Sequence, residues 1–528
     1  MRAAVLIFAA ISTLCAADGI APPPRVGVGA TQRHLTLQQA VELAIAANLD
    51  VAIERTNVES AEHAVTAAKG GFDPVLRWAP SFGDSNTPAE SLLQGAGAIA
   101  TQHSAGQSLG FHQQRAWNGL ALDAQFDSSR VTNVNPFVTL SPFYVTQLSF
   151  GITQPLLRGR EIDAKRAEVT IRLHNRDASC SELEARAIDV AARVERAYWD
   201  LLAARRQGEV QCEAAELAKT QLEQDRRMIE AGTLPSIELA AAEAELERRM
   251  DDLYRGTAAV TETENVLKSL LAGDRRDALW PDEIVPDDRG AVPPPAAIDI
   301  GEAIEAALLR RPELQELDSN LAANAVERRQ NADLVKPQMN LAVNYTLAGL
   351  AGTQTPGLEQ FAAFGLGPPP GSVVGGYGSS LANLFGGKYQ SVTAGIAFDF
   401  TVHNRTAEAN LASSAVAQKR IALMRARAEQ AIVQQVRDSL QELETGRQRM
   451  RSAAAAARAA KDKLDSETRL FANGESTNFL VLTRQNEYSD ARLRMVEAEA
   501  AFNKAVAQYE AASGTTLSER GIARECGK

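Results

Sequence analysis

The chain has 528 residues and a formal net charge of -11, because its 66 acidic side chains outnumber its 55 lysines and arginines. Binding of nucleic-acid phosphates requires clustered positive charge, so this composition, without a basic patch, argues against a nucleic-acid partner. Beyond the N-terminus the sequence contains no uninterrupted apolar run of about 18 residues, so we expect no membrane-spanning helix in the mature protein.

The N-terminus is typical of a secretory signal peptide. An apolar run from Ala3 to Leu14 is followed by small residues, which predicts a signal peptide over residues 1–17 and cleavage near Asp18. Cys15 is also a candidate lipid-acceptor cysteine, although Leu14 before it is bulkier than that processing usually accepts. The chain is therefore predicted to be exported.

The remaining cysteines are Cys180, Cys212 and Cys526. They are widely scattered and lack CxxC spacing. This pattern predicts neither a zinc site nor a disulfide framework.

Two parts of the chain are similar at a constant offset. Residues 35–51 (LTLQQAVELAIAANLDV) align with residues 298–314 (IDIGEAIEAALLRRPEL), and the same offset of 263 places Pro74 on Pro337. Self-similarity of this kind indicates an internal duplication. We predict a first strand and long-helix repeat over 18–279, a linker over 280–297, a second such repeat over 298–512 and a tail over 513–528.

Both repeats are predicted to contain very long helices. Apolar residues recur at spacings of three and four between Leu183 and Leu201 and again between Ile421 and Leu443, which is the helical period. A helix from Arg160 to Ile229 would be on the order of 100 Å long. Such helices suit coiled-coil packing, and a plain coiled-coil rod is one alternative for the whole chain.

Short alternating segments predict strands in each repeat. In Gln147–Gln154 and Gly395–Phe400, apolar residues alternate with small or polar ones. A membrane barrel has this pattern, but so does any half-buried antiparallel sheet. The segment 81–144 holds one more alternating stretch, Leu120–Phe126, which leaves open an extra surface hairpin or additional strands.

Several motifs together resemble the TolC-like outer-membrane efflux protein family. They are the helix start at 35–51, GFDPVL at 71–76, TQPLLRG at 153–159, NRTAEA at 404–409 and the glycine turns at Gly232 and Gly474. The resemblance covers nearly the whole mature chain. It implies an α+β membrane protein in which three protomers, each giving about four strands, share one transmembrane β-barrel. A long α-helical coiled-coil tunnel would continue the barrel into the periplasm.

The resemblance also implies a function. The protein would be the outer-membrane channel of a tripartite efflux or type I secretion system, a homotrimer in outer-membrane lipid with helices extending into the periplasm. Its partners would be a periplasmic adaptor (membrane fusion) protein and an inner-membrane RND or ABC-type transporter. The alternative is a periplasmic coiled-coil adaptor or scaffold protein without a pore.

The resemblance assigns adaptor docking to the helical tips. The matching residues are Gly232, Leu234, Ile237, Leu239, Gly474, Phe479 and Val481. Glu238 is a candidate pore constriction, and the alternative for it is an exposed acidic residue at a helix N-terminus. Related channels carry aspartates six and nine residues after the second glycine, whereas this chain has Leu480 and Thr483 there.

No catalytic, cofactor-binding or metal-binding motif is present in the sequence. The six histidines are isolated and lack HExxH spacing, and the glycine-rich stretches match neither GxGxxG nor a phosphate-binding loop. We therefore predict a protein that is not an enzyme and has no cofactor. No motif specifies the exported substrate.

Overall fold

The structure is a computed structural model that describes residues 20, 23–29, 31–88, 99–133, 138–232, 235–288, 298–357, 368–523 and 526. The predicted signal peptide, Cys15 and Leu234 lie outside the described residues. The chain divides into two compact units. We call residues 1–60, 177–318 and 423–528 the helical unit, and residues 61–176 and 319–422 the sheet unit.

Helices dominate the described chain, and the two longest, α3 and α8, have 67 and 68 residues. The helices are α1 (Leu37–Ala47), α2 (Leu49–Lys69), α3 (Ala164–Glu230), α4 (Ile237–Leu271), α5 (Ile300–Arg310), α6 (Pro312–Val335), α7 (Tyr377–Phe385), α8 (Arg405–Ala472), α9 (Asn478–Ser513) and α10 (Thr516–Glu519). None of the helices in the described ranges is long and apolar enough to cross a membrane. The strands are β1 (Gln32–Leu35), β2 (Val75–Pro88), β3 (Ile99–Gln114), β4 (Ala121–Asn133), β5 (Leu140–Pro155), β6 (Glu283–Pro286), β7 (Gln338–Gln354) and β8 (Tyr389–Asp399).

The two repeats begin with equivalent helices. The Thr36 side chain caps α1 by accepting a hydrogen bond from the backbone N–H of Gln39, and Asp299 caps α5 in the same way. Asn48 and Arg311 end these two helices. Thr36 and Asp299 are 263 residues apart, and so are Asn48 and Arg311, which is the offset seen in the sequence. Capping side chains satisfy the N–H groups that the first turn leaves free, so the same local signals define the same helix limits in both repeats.

Apolar packing among α1, α3 and α4 forms the main core of the helical unit. At its centre the rings of Tyr198 and Trp199 meet edge to face, with centroids 5.5 Å apart. The buried Tyr198 hydroxyl donates to the Leu35 carbonyl oxygen at 3.0 Å and contacts the Asp288 carboxylate at 2.5 Å. Burial and this carboxylate raise the pKa of Tyr198 far above its ordinary value. The hydroxyl therefore stays protonated and joins the start of the first repeat to the linker.

The predicted linker contains a short strand. β6 pairs with β1 in parallel, with Gln32 opposite Glu283, and this two-stranded sheet lies in the helical unit. Beside it, the buried Glu264 carboxylate contacts the Arg25 guanidinium and accepts from Lys268 at 2.7 Å and from the Ile284 backbone N–H at 3.1 Å. Together these polar contacts hold the N-terminal segment and the linker against α4.

A disulfide joins the C-terminal tail to α3, so the prediction from cysteine spacing was wrong. Cys180 and Cys526 are bonded although they lie 346 residues apart in sequence. A bond across such a distance depends on the tertiary fold, and therefore the sequence spacing contains no sign of it. Closing a loop of this length removes entropy from the unfolded chain that is worth about 6 kcal/mol in the chain-entropy model. Disulfides persist in oxidising compartments, which agrees with predicted export.

Near the same tail, two carboxylates share one cation. The Arg520 guanidinium donates to Glu195 at 2.9 and 3.0 Å and to Glu510 at 3.2 Å. Burial, and then the negative charge of Glu195, raise the pKa of Glu510 to about 7. The folded protein therefore holds a proton that an unfolded glutamate has already lost in neutral solution.

This raised pKa gives a definite direction for stability against pH. The contribution of Glu510 is fully present below its ordinary pKa near 4.5 and is lost as the pH rises through about 7. We expect Glu510→Gln, which mimics the protonated form, to raise the melting temperature at pH 8 and to leave it nearly unchanged at pH 5. Circular dichroism melts at both pH values test this, with the exposed Glu497→Gln on the same helix as control. A lower melting temperature for Glu510→Gln at pH 8 would show that its ionised form stabilises the fold.

The sheet unit is built on one antiparallel sheet in the order β2-β3-β4-β5-β7-β8. It has six strands, whereas the family resemblance implies about four strands per protomer in the barrel. The two additional strands, β3 and β4, come from the segment 81–144, where the sequence left a surface hairpin or further strands open. Alternation marks a strand, but the number of strands in one sheet depends on long-range pairing, which the pattern does not specify.

Candidate functional site

A glycine follows each of the two longest helices at the predicted helical tips. Gly232 follows α3 with a φ of +74°, and Gly474 follows α8 with a φ of +79°. This left-handed conformation is the one that glycine adopts readily at helix ends, and Pro235 before α4 has the fixed φ that suits a helix start. Among the described residues, apart from the chain neighbours, no atom lies within 4 Å of the position that a Cβ would take at either glycine. Both glycines are therefore open on that side.

Large apolar side chains are exposed at matching positions beside the two turns. Ile237 is 73% exposed and Phe479 is 72% exposed, and each is the fifth residue after its glycine. Leu239 is half-buried, whereas Val481 is only 2% exposed and packs inside the protein. Of the predicted docking residues in the described chain, the glycines, Ile237 and Phe479 are thus available to a partner.

Glu238 lies in the first turn of α4 and is half-exposed. A carboxylate at this position interacts favourably with the partial positive charge of the helix N-terminus. Its position agrees with the helix-terminus alternative and also leaves it accessible from solvent.

A buried polar triad near the second turn was not predicted from the sequence. The Gln221 amide donates to Asp225 and to Asn478, both at 2.8 Å, and the Asn478 amide donates to Asp225 at 2.9 Å. All three side chains are more than 90% buried. The triad therefore ties the start of α9 to α3. A signal for it exists, since Gln221 and Asp225 interrupt the stripe of buried small residues that includes Ala215 and Ala218.

A second polar group lies farther from the tips. Arg249 of α4 donates to Glu245 at 2.9 Å and contacts Asn486 of α9, while Arg492 of α9 contacts Glu213 of α3. These side chains line an open cleft between the three helices. The described residues contain no cluster of three or more His, Cys, Asp or Glu side chains able to hold a metal ion.

The two faces of the six-stranded sheet differ in character over the part nearest the helices, whereas toward the other end Phe143, Val145 and Leu350 lie on the otherwise polar face and Ser128 and Thr146 on the otherwise apolar one. Successive residues of a strand point to opposite faces, so the register assigns each side chain to one of them. The apolar face carries Leu76, Trp78, Phe82, Leu109, Phe111, Leu122, Phe126, Leu148, Phe150, Ile152, Leu341, Val343, Leu347, Val392, Ile396 and Phe398. The polar face carries Arg77, Ser108, His112, Asp123, Gln125, Asp127, Gln147, Ser149, Asn344, Thr346, Ser391 and Thr393.

Much of the apolar face is exposed. Trp78 is 67% exposed on β2, Leu109 50% on β3, Phe150 45% on β5 and Ile396 65% on β8. Exposed apolar side chains on four of the six strands, with partly buried ones on β4 and β7 between them, mark a surface that contacts lipid or another protein.

Residues 112–273 match the model of a family described as outer membrane efflux protein. The predicted family resemblance is confirmed. The outer membrane efflux protein match begins in β3 and ends just after α4, so it includes the Gly232 turn. The chain matches none of the curated proteins.

The fold is similar to that of solved outer-membrane channels. The CmeC outer membrane channel of Campylobacter jejuni aligns with a TM-score of 0.62 and 15% identity over 93% of this chain and 87% of CmeC. The outer membrane protein VceC of Vibrio cholerae aligns with a TM-score of 0.60 and 14% identity over 90% of this chain and 96% of VceC. The open state of the Neisseria gonorrhoeae MtrE outer membrane channel aligns with a TM-score of 0.56 and 16% identity over 91% of this chain and 89% of MtrE.

At these identities the structural likeness establishes an α+β fold shared with such channels. The family model that matches residues 112–273 describes efflux proteins. Together they support the predicted outer-membrane efflux channel, and they fit a transport protein rather than an enzyme.

Proposed function

We propose that three copies of this chain form the outer-membrane channel of a tripartite efflux or type I secretion system. The observation that carries the proposal is the exposed apolar face of a sheet with two free edges. Within the described residues, β2 pairs only with β3 and β8 pairs only with β7. A free edge in lipid leaves backbone N–H and C=O groups unpaired, which costs several kcal/mol for each group. Pairing with further copies removes that cost.

Closure between copies is geometrically consistent. Neighbouring strands of the six-stranded sheet are all antiparallel, so β2 and β8 run in opposite directions. Thus β8 of one protomer and β2 of the next would continue the antiparallel pattern around a closed barrel. The apolar face would then lie against lipid and the polar face would line water. The long helices would extend into the periplasm as a coiled-coil tunnel.

Crosslinking and conductance measurements test this assembly. We expect chemical crosslinking in detergent to give a trimer, and the reconstituted trimer to conduct ions in a planar bilayer. A stable monomer would contradict the model. Conductance also separates the channel from the alternative of a periplasmic adaptor or scaffold, which has no pore.

The helical tips are the proposed docking surface for a periplasmic adaptor, which would in turn contact an inner-membrane RND or ABC-type transporter. Exposed Ile237 and Phe479 support this surface, because they occupy matching positions in the two repeats. Large apolar side chains at the centre of an interface commonly supply most of its binding energy. Three protomers would present six such positions.

Substitution of Glu238 tests whether this residue forms a pore constriction. In the first turn of α4 its carboxylate stabilises the helix by about 0.3–1 kcal/mol. We expect Glu238→Gln to lower the melting temperature slightly and to leave the cation-to-anion permeability ratio unchanged. A clear fall in that ratio, measured from reversal potentials in a salt gradient, would instead identify Glu238 as part of a charged ring in the pore.

A further inference from the structure

We infer that the β3–β4 hairpin is part of the membrane-spanning wall, so that each protomer supplies six strands and a closed trimer has eighteen. This inference rests on the proposed function, since it concerns the wall of the same channel. The competing arrangement is a four-strand contribution per protomer, with β3 and β4 outside the membrane as a surface hairpin.

The first argument is the continuity of pairing. β3 pairs with β2 from Val75↔His112 to Pro88↔Ile99, and β4 pairs with β5 from Ala121↔Thr153 to Val131↔Phe143. The hairpin therefore separates β2 from β5 along their lengths. Its strands have 16 and 13 residues, which exceeds the 9–11 residues or so that a tilted strand needs to cross a bilayer.

The second argument is the position of the hairpin turn. Gln113 donates to the Phe72 carbonyl oxygen at 3.3 Å, and Gln154 donates to the Asn118 carbonyl oxygen at 3.0 Å. Phe72 ends the short turn that follows α2, and Gln154 is the last residue but one of β5, the strand that precedes α3. The turn thus lies at the end of the sheet where the helices begin. A surface hairpin would instead have its turn away from the sheet.

Close packing at this turn adds to the argument. Gly119 has a φ of +73°, and a Cβ there would lie 2.7 Å from the Gly159 carbonyl oxygen. The turn approaches the backbone before α3 so closely that only glycine fits without a shift. The hairpin turn is therefore packed closely against the end of the sheet from which α3 continues.

The third argument is that the hairpin continues both faces of the sheet. Leu109, Phe111 and Phe126 extend the apolar face, whereas Ser108, Asp123 and Gln125 extend the polar face. A hairpin in water would not require its apolar and polar side chains to lie on the same faces as those of the other strands.

Barrel diameter grows roughly in proportion to strand number, so eighteen strands would give about one and a half times the diameter of twelve. Larger solutes could then cross the barrel.

Tryptophan scanning in lipid vesicles distinguishes the two arrangements. Phe126 and Leu148 are directly paired on the apolar face, and Gln125 and Ser149 are paired next to them on the polar face. We would place Phe126→Trp, Leu148→Trp and Gln125→Trp one at a time, purify the trimers and reconstitute them with brominated phospholipids. The signal of each new tryptophan is the difference from the wild-type protein.

We expect the tryptophans at 126 and 148 to be quenched by the same fraction, and the tryptophan at 125 to be quenched little by lipid but readily by aqueous iodide. Quenching at 148 without quenching at 126 would overturn the six-strand wall and leave the proposed channel intact. Absence of lipid quenching at both positions would overturn the membrane wall altogether. If a variant fails to assemble, electron cryomicroscopy of the wild-type trimer decides the matter, because eighteen strands support the inference and twelve refute it.

Discussion

Replacing Gly232 or Gly474 by Trp is expected to reduce export to the level of a strain without the channel, while the trimer still assembles. Both glycines are exposed, and among the described residues an added Cβ meets no atom within 4 Å apart from the chain neighbours. The left-handed φ costs roughly 1–2 kcal/mol at a single turn residue, which is small for a chain of this size. The indole would instead project from the tip and obstruct the proposed adaptor contact near Ile237 or Phe479.

Accumulation of a fluorescent efflux probe in cells that depend on this channel measures the effect, and crosslinking measures assembly. Gly387→Trp is a matched control, because Gly387 also has a positive φ of +66° but lies between α7 and β8. Among the described residues, an added Cβ at Gly387 would likewise meet no atom within 4 Å apart from the chain neighbours. We expect this variant to export normally. Normal export by both tip variants would contradict adaptor docking at the helical tips. Loss of export by Gly387→Trp would show that the loss does not depend on a substitution at the tips.

Glu264→Ala is expected to destabilise the helical unit by about 3–5 kcal/mol, the usual cost of removing one partner from a buried ion pair. Glu264 is 0% exposed and is the carboxylate that faces both Arg25 and the fully buried Lys268. Without it, the two cations lose their shared counter-charge, and the Ile284 N–H loses its acceptor. The linker and the N-terminal segment should then separate from α4.

The melting temperature in detergent, followed by circular dichroism, should fall markedly for Glu264→Ala. Glu262→Ala is the control, since Glu262 is an exposed glutamate two residues earlier on the same helix. We expect the control to melt within error of the wild type. Equal melting of both variants would show that the buried carboxylate contributes little to stability.

Local sequence patterns predicted much of the helical architecture. The period of three and four marked the long helices, and the offset of 263 placed the caps Thr36 and Asp299 at equivalent helix starts. The glycine turns were also located correctly, because a helix end with a left-handed residue is a local feature. The family resemblance, from which the function was predicted, rested on the same local motifs and is matched by the family model over residues 112–273.

The candidate site was predicted only in part. Sequence motifs located the turns, yet they did not distinguish exposed Phe479 from buried Val481, two residues further along α9. The difference depends on which side of α9 faces its neighbours. Nor did they indicate the triad of Gln221, Asp225 and Asn478, since its members come from two helices more than 250 residues apart in the chain.

By itself, the sequence indicated the duplication, from the repeat at a constant offset, and also the long helices, the strand character of the alternating segments and the two glycine turns, because these last three depend on residues close together in the chain. Only the tertiary structure decided the six-stranded sheet, the Cys180–Cys526 disulfide and the burial of Glu264 and Lys268. These features join segments that are distant in the chain. Their stability comes from pairing, packing and shared charge, and a local pattern does not state which distant partner supplies them.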